Sequence, residues 1–516
     1  MSEFNADCDA RRRFVSGLAA SVTAGALVSV ATASKNASAA TLSYVTPQDY
    51  GALGNGTADD TAAVQNAVNA LALSSTQRTL YVPDGTYKLT APISITRGIS
   101  ILGEGCEPYK DLVTSKRGNG SWFHIAHAGV GFNIKPVVAP DPAPHDLSGF
   151  EMRGIGIYRD QPVPGGGAFT PTNNDWDIYI SNADVLLDDL MLLNPTKGIF
   201  VTNATASQPN VLNPFSRITI NNIRGQPLTY GLMIENAQDV ARISNIHWWP
   251  FWVLSPKVVD WQQANLVGIH LARCDGPLLT NVFSWSTHAG LKIVGGVNGT
   301  TYRMQVANAY FDNTHTGIHI DSSANGVTSQ MANVTMQGAY PYAPINTGIQ
   351  IDGSNCRLDF TNLSSAAFNA NCISVNGSGN LVNVTNMNAS LYDGSGVGNP
   401  AIVVNGQNSL FVTGLSAIEY VATAKWFGGT GNISCFLGSG SVSTTTDAAG
   451  FAGISPNPSL RCDPRKVFIQ VTGTFAPAMT TVDMLTAGFI RTRFFLPSGA
   501  IMKPPAFASA SITVTE

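Results

Sequence analysis

Between Arg224 and Asp352 the chain gathers residue types that act on sugars: carboxylates, imidazoles, a lysine and flat aromatic rings. Glycoside hydrolysis needs two carboxyl groups about 5 to 9 Å apart, one donating a proton and one acting as nucleophile or base. Asp321 and Asp352 are the first candidates, with Asp312 nearby and Glu235 further up the chain. The competing chemistry is β-elimination on a uronate polymer, which needs a base and a cation that neutralises the sugar carboxylate. His270, Lys292 and His319 suit the base role, Arg224 or Arg273 the neutralising role, and a lyase would admit calcium as cofactor. A transition-metal site from His270, His319 and Asp321 is a third option, weakened by the absence of a metal-like ligand spacing. Of the eight tryptophans, five fall between Trp248 and Trp285. Trp249, Trp252 and Trp285, with His247 and Tyr310, would form a saccharide-stacking surface if they are exposed; if not, they pack the loop that carries them.

Whether these side chains share a face depends on the elements that carry them. A short strand recurs as "GIFV" from Gly198, "GLMI" from Gly231, "GIHL" from Gly268, "GLKI" from Gly290, "GIHI" from Gly317 and "GIQI" from Gly348. Weaker copies start at Cys372 and Ala401, and the period is about 29 residues, in the range of solenoid repeats. Between them runs a second unit of alternating apolar residues around a pivot. The pivots are Asn222, Asn245, Asn281, Asn308, Asn333, Asn362, Asn386 and Gly414. Asn and Gly tolerate the left-handed backbone, so each pivot predicts a tight bend between two strands, and stacked Asn side chains predict a hydrogen-bonded ladder. Three short strands per repeat, stacked on their copies, predict an all-β chain: a right-handed parallel β-helix. Strand alternation then turns outward Met233 and Glu235, His270, Lys292, His319 and Asp321, and Gln350 and Asp352 on one sheet. On the sheet after the pivot it turns outward Arg224 and Gln226, His247 and Trp249, Phe283 and Trp285, and Tyr310 and Asp312. These are read as two edges of one groove.

Upstream, Val45–Leu71 reads as a turn followed by an amphipathic helix capped around Asp59, Asp60 and Thr61. Its apolar face is Ala63, Val64, Ala67, Val68 and Leu71. This segment and the strands after it resemble the N-terminal signature of the pectate-lyase superfamily of β-helix proteins, which includes polygalacturonase-like and family 55-like glycosidases and phage tailspike depolymerases. The resemblance implies a capping helix at the bottom of the solenoid, action on a polysaccharide and, by analogy with tailspikes, a homotrimer. It does not transfer catalytic residues. Asp188 and Asp189 offer an acidic pair, but Asp189 falls at a pivot; there is "STHAG" around His288, and neither the G-H-G nor the R-x-K of polygalacturonases occurs.

The remaining organisation is read from composition. Arg11, Arg12 and Arg13, an apolar run from Leu18 to Ala33, and an Ala37-Ser38-Ala39 site resemble a twin-arginine export signal over residues 1–40. That run is too short and weakly apolar for a membrane span. The β-helix with its cap occupies 41–437, a Gly/Ser/Thr linker 438–453, and a small C-terminal β unit 454–516. Charged residues are only 12% of the 516, against roughly 25% in an average soluble protein, and the net charge is −4. No basic face suggests nucleic acid as a partner. Six cysteines follow Cys8; scattered thiols are preferred to disulfides, except for Cys435 and Cys462. The functional expectation is an exported polysaccharide-cleaving enzyme, hydrolase ahead of lyase, with a non-catalytic glycan-binding or structural β-helix as the alternative.

Overall fold

The computed structural model describes residues 43–515 except 108–118, 137–148, 203–216, 238–239, 340–345, 393–398, 420–426, 442–451, 455–466, 473–478, 487–488, 496–500 and 503–508. The export segment and most of the expected linker therefore lie outside the described residues.

The chain is a parallel β-helix. Its "GIxI" strands form a twelve-stranded sheet in which each strand pairs, parallel and in register, with the next copy. Ile269 pairs with Leu291, Leu291 with Ile318, and Ile318 with Ile349. The second repeat unit forms longer strands, such as Met304–Thr314 and Thr328–Gly338, that bend at the pivot and continue. Each rung thus has two hydrogen-bonded strands rather than three, the second folded into a pre-pivot and a post-pivot half. The bend is as expected: Asn222, Asn245, Asn281, Asn308, Asn333, Asn362 and Asn386 have φ between 53° and 57°, and Gly414 has φ 73°. Asp189, with φ 51°, occupies the same bend one rung earlier.

The Asn ladder forms on the outside of that bend. Each amide donates to the carbonyl of the rung above: Asn281 to Asn245 (3.1 Å), Asn308 to Asn281 (3.2 Å), Asn333 to Asn308 (3.0 Å), Asn362 to Asn333 (2.9 Å) and Asn386 to Asn362 (3.2 Å). Asn245 slips one residue and donates to Asn221, while Asn222 donates to Asp189. Asp189 is therefore a ladder residue.

Inside the coil, the alternating apolar residues of all three faces make one continuous core. The glycine that opens each "GIxI" strand leaves room for it. A Cβ on Gly290 would lie 2.3 Å from the ring of Phe311, and one on Gly317 would lie 2.4 Å from Met336 Sδ. At these two rungs the bulky residue of the post-pivot strand fills the corner; at Gly198 and Gly268 a Cβ would instead meet the carbonyl of the next rung, 2.5 and 2.8 Å away.

At the N-terminal end, helix α1 (Thr61–Leu73) buries Ala63, Val64, Ala67, Val68 and Leu71, as the periodicity predicts. The cap differs from expectation. Asp60 makes no side-chain cap bond; its carboxylate accepts instead from the backbone N–H groups of Leu53 and Gly54, tying the preceding turn to the helix start. Asp59 accepts from the Thr61 N–H. A buried ion pair staples the early rungs. Arg159 Nε donates to Asp177 Oδ1 at 2.6 Å, both side chains fully buried, and the guanidinium also donates to the carbonyls of His127, Gly129, Asp175 and Trp176. Beyond the last rung the strands turn antiparallel: Asn432–Ser441 pairs with Ser509–Thr515, which pairs with Val467–Thr472. Cys106, Cys274, Cys356 and Cys372 are free and buried. The side chains of Cys435 and Cys462 lie outside the described residues.

Candidate functional site

The two groups of sequence-predicted residues occupy separate faces. On the "GIxI" sheet, Met233, His270, Lys292, His319 and Gln350 stand in one outward column, each in register with the next. Glu235 belongs to the neighbouring column, paired with Ala272. Asp321 and Asp352 follow at the strand ends.

These carboxylates are committed. Asp321 accepts from Lys292 Nζ at 3.0 Å and from the N–H and hydroxyl of Ser323. Asp352 accepts from His319 Nε2 (3.0 Å), Gln350 (2.7 Å) and Asn376 (2.9 Å). Burial works to raise both carboxyls, but the donors outweigh it: Asp321 is held down to about 2 and Asp352 below the usual carboxylate range. Donors that favour the ionised form suit a nucleophile or base rather than the proton donor of the expected pair. His270 is also corrected as a base. It is 9% exposed, neither ring nitrogen has a partner among the described residues, and burial with the Lys292 charge pushes it down to about 4. Glu235 is raised by burial alone and lies on this face, away from the aromatic rings it was grouped with.

The post-pivot face is different. His247, Phe283 and Tyr310 stack rung on rung, each in register with the next, with ring centroids 5.1 and 5.4 Å apart and nearly perpendicular planes. Trp249 lies against Phe283 (5.9 Å) and Trp285 (5.4 Å), and Trp249 is 41% exposed. Phe283, missed as a site residue, is the ring that joins the two columns; its period-two phase with Trp285 was the available signal.

Asp312 stands in register with Trp285. Burial raises its carboxyl, opposed only by the backbone N–H of Asn313. Of the candidate carboxylates, Asp312 and Glu235 are the two that burial raises, and Asp312 is the one beside the aromatic rings. Tyr310 is likewise raised, and its hydroxyl lies 3.4 Å from Gln337. Arg224 borders this face but is engaged, donating to Asp189 at 3.1 Å; His247 is lowered by partial burial and, second, by the Arg224 charge.

Trp252 is a correction. It is 5% exposed, in a satellite cluster with Trp122, Phe169, Leu228 and Val258, and the loop that bears it is anchored by Gln226. The Gln226 side chain, turned outward as expected but 1% exposed, accepts from the N–H groups of Trp252 and Val253 and donates to the Val253 carbonyl. The same loop forms helix α2 (Pro256–Asn265), where Trp261 Nε1 donates to the Leu228 carbonyl. Trp248 points inward and donates to Gly268. Of the five clustered tryptophans, three pack the loop and wall, and Trp249 and Trp285 line the open face.

Helix α2 sits at the corner between the two faces, where Gln263 donates to the Asn313 carbonyl and His288 contacts the Gln263 carbonyl. The corner rings of His288 and His315 stack at 5.0 Å, His315 being pushed down to about 4 by burial and its histidine neighbours. The expected single groove is thereby divided into two faces that meet at a corner. Arg273 donates to Asp275 and is 8% exposed, so it is not available to a sugar carboxylate. Among the described residues, no group of three or more His, Cys, Asp or Glu could hold a metal ion. No described helix is long and apolar enough to cross a membrane.

Residues 45–122 match the family model described as "Rhamnogalacturonase A/epimerase, pectate lyase-like". No curated protein matches the chain. Among solved structures, bacteriophage phi29 gene product 12 aligns at 14% identity and TM-score 0.44, over 72% of this chain and 52% of that one. The chain thus spans about half the length of that protein. The Pseudomonas phage phi297 tailspike gp61 aligns at 14% identity and TM-score 0.38, over 92% and 98%. The catalytic unit of a GH87 alpha-1,3-glucanase from Streptomyces thermodiastaticus aligns at 13% identity and TM-score 0.37, over 75% and 68%.

Proposed function

We propose that this β-helix binds a polysaccharide across its post-pivot face and cleaves it there, with Asp312 protonating the glycosidic oxygen. One observation carries the reading: an open aromatic face, with Trp249 exposed and Trp285 beside it, holds a carboxyl whose burial favours the protonated acid. Flat rings bind the apolar faces of pyranoses, and a carboxyl raised by its surroundings is the form a general acid requires. The match of the N-terminal segment to a rhamnogalacturonase and pectate-lyase-like model supports a carbohydrate as the ligand. The raised carboxyl of Asp312 supports the hydrolase reading over the lyase reading. His247 on the same face, lowered by burial and by the Arg224 charge, is the base a lyase would use.

The test is incubation with neutral and acidic polysaccharides, following reducing ends and ultraviolet absorbance from unsaturated products. Asp312→Asn is expected to abolish product while binding persists, and Trp249→Ala to weaken binding. Full activity in Asp312→Asn would remove the assignment. The alternative, non-catalytic glycan binding, draws support from the ion-paired state of Asp321 and Asp352; binding without any product would select it. The arginine-led N-terminal segment supports export before action, and fractionation of expressing cells with N-terminal sequencing of the mature chain tests that.

A further inference from the structure

The pre-pivot face carries a trough that neither face above uses. It is about 470 Å³ in its deeper part, and a second lobe of about 370 Å³ shares Gln305, Gln330 and Asp359 with it. The floor is made of small and aliphatic side chains, Ala307 and Ala332 in register on successive rungs. Gln305, Gln330 and Asp359 stand in one outward column, in register from rung to rung. All three are exposed, and neither Gln305 nor Gln330 has a hydrogen-bond partner among the described residues.

The second lobe ends in two cations. Thr328 pairs with Arg357, and Thr328 Oγ1 accepts from the Arg303 N–H, so Arg303, Thr328 and Arg357 occupy three successive rungs of one edge. Both arginines are exposed and make no ion pair among the described residues. Arg303 leans on the Tyr302 ring, 5.9 Å from its centroid, and Arg357 donates to the carbonyls of Cys356 and Gly379. Each is thus positioned while guanidinium N–H groups remain free for an anion. Two rungs separate them, about 9.6 Å at the usual strand spacing.

We propose that this trough is a second, separate binding site, for an extended acidic polysaccharide lying along the solenoid axis. A pyranose unit in an extended chain is about as long as a rung is tall, and a two-fold chain turns every second carboxylate to the same side. Arg303 and Arg357 then take alternate carboxylates through charge-assisted hydrogen bonds. Gln305, Gln330 and Asp359, in the adjacent column, take hydroxyls, Asp359 as an acceptor beside the bond it already takes from Asn383 at 2.6 Å. The shallow apolar floor fits a sugar's C–H face. One feature favours a glycan over a nucleic acid: no aromatic ring lines the trough for base stacking.

The experiment is affinity electrophoresis of the full chain against polygalacturonate, alginate, hyaluronate, neutral dextran and single-stranded DNA. The expected result is retardation by at least one of the three uronate polymers, weakened by salt. It should fall at least tenfold in the Arg303→Gln, Arg357→Gln double variant and be unchanged in Asp312→Asn. Ala332→Glu, which puts a charge on the trough floor, should weaken it as strongly while the far-ultraviolet circular dichroism stays the same. Retardation by none of the uronates, retention in the double variant, or equal retardation by DNA overturns the proposal. Because the cleavage reading is carried by Trp249 and Asp312, its failure would show in those variants and leave this result untouched.

Discussion

Replacing Asn308 by Ala removes three things at once from the middle of the ladder. Its φ of 57° is a left-handed conformation that costs an ordinary L-residue about 1–2 kcal/mol. Its amide donates to Asn281 at 3.2 Å, and its carbonyl accepts from Asn333 at 3.0 Å. Each such bond contributes about 0.5–1.5 kcal/mol net, and these exposed ones belong at the low end. The strain and two bonds together give a loss of about 2–3 kcal/mol for Asn308→Ala. Asn308→Gly keeps the bend and loses only the bonds, giving about 1–2 kcal/mol after the added backbone entropy. Urea unfolding followed by tryptophan fluorescence measures both. The ordering is the test: Ala must be worse than Gly, as the natural Gly at position 414 of the same column implies. If Gly destabilises as much as Ala, bend strain is not what selects Asn, and the ladder bonds alone must be credited.

The pH dependence of cleavage follows from Asp312. Its carboxyl is raised by burial, so the acid form persists above the ordinary carboxylate range, and rate should fall as pH rises through that raised value; a profile still rising there would exclude Asp312 as proton donor. His270 and His315 are both held down to about 4, so the unfolded chain takes up protons between about 6.5 and 4 while the folded chain does not. Stability should therefore drop as pH falls through that window and level below it, with a shallower drop in His270→Gln, measured as urea midpoint against pH. Asp321 has the same sign of shift in a lower window: its contribution is present above about 3.8 and lost toward about 2. Lys292→Met should flatten that limb. Arg159→Met strands the buried Asp177 carboxylate and should cost about 3–5 kcal/mol, read from the same denaturation curves.

Periodicity alone determined the architecture. A pivot that must accept a left-handed backbone leaves Asn or Gly in the sequence, and a strand that must face a core leaves alternation, so both survive translation into letters. That is why the bends at Asn222 through Gly414, the capping face of α1 and the outward columns through His319 and Tyr310 were legible. Alternation says which way a side chain leaves its strand, but not what then lies over it. His270 and Trp252 could not be assigned for that reason. His270 points outward yet is enclosed by its neighbours, and Trp252 is folded under a loop that Gln226 holds from another rung. Charge state is equally non-local: Asp321 and Asp312 look alike in sequence and burial raises both, but the donors on Ser323 and Lys292 outweigh it at Asp321, while Asp312 has only the Asn313 N–H against it. The trough between Arg303 and Arg357 joins residues far apart in the chain, because rung stacking sets their spacing in space. Local rules wrote the coil into the sequence. Long-range packing decided which of its faces is open and which of its carboxyls is raised or lowered.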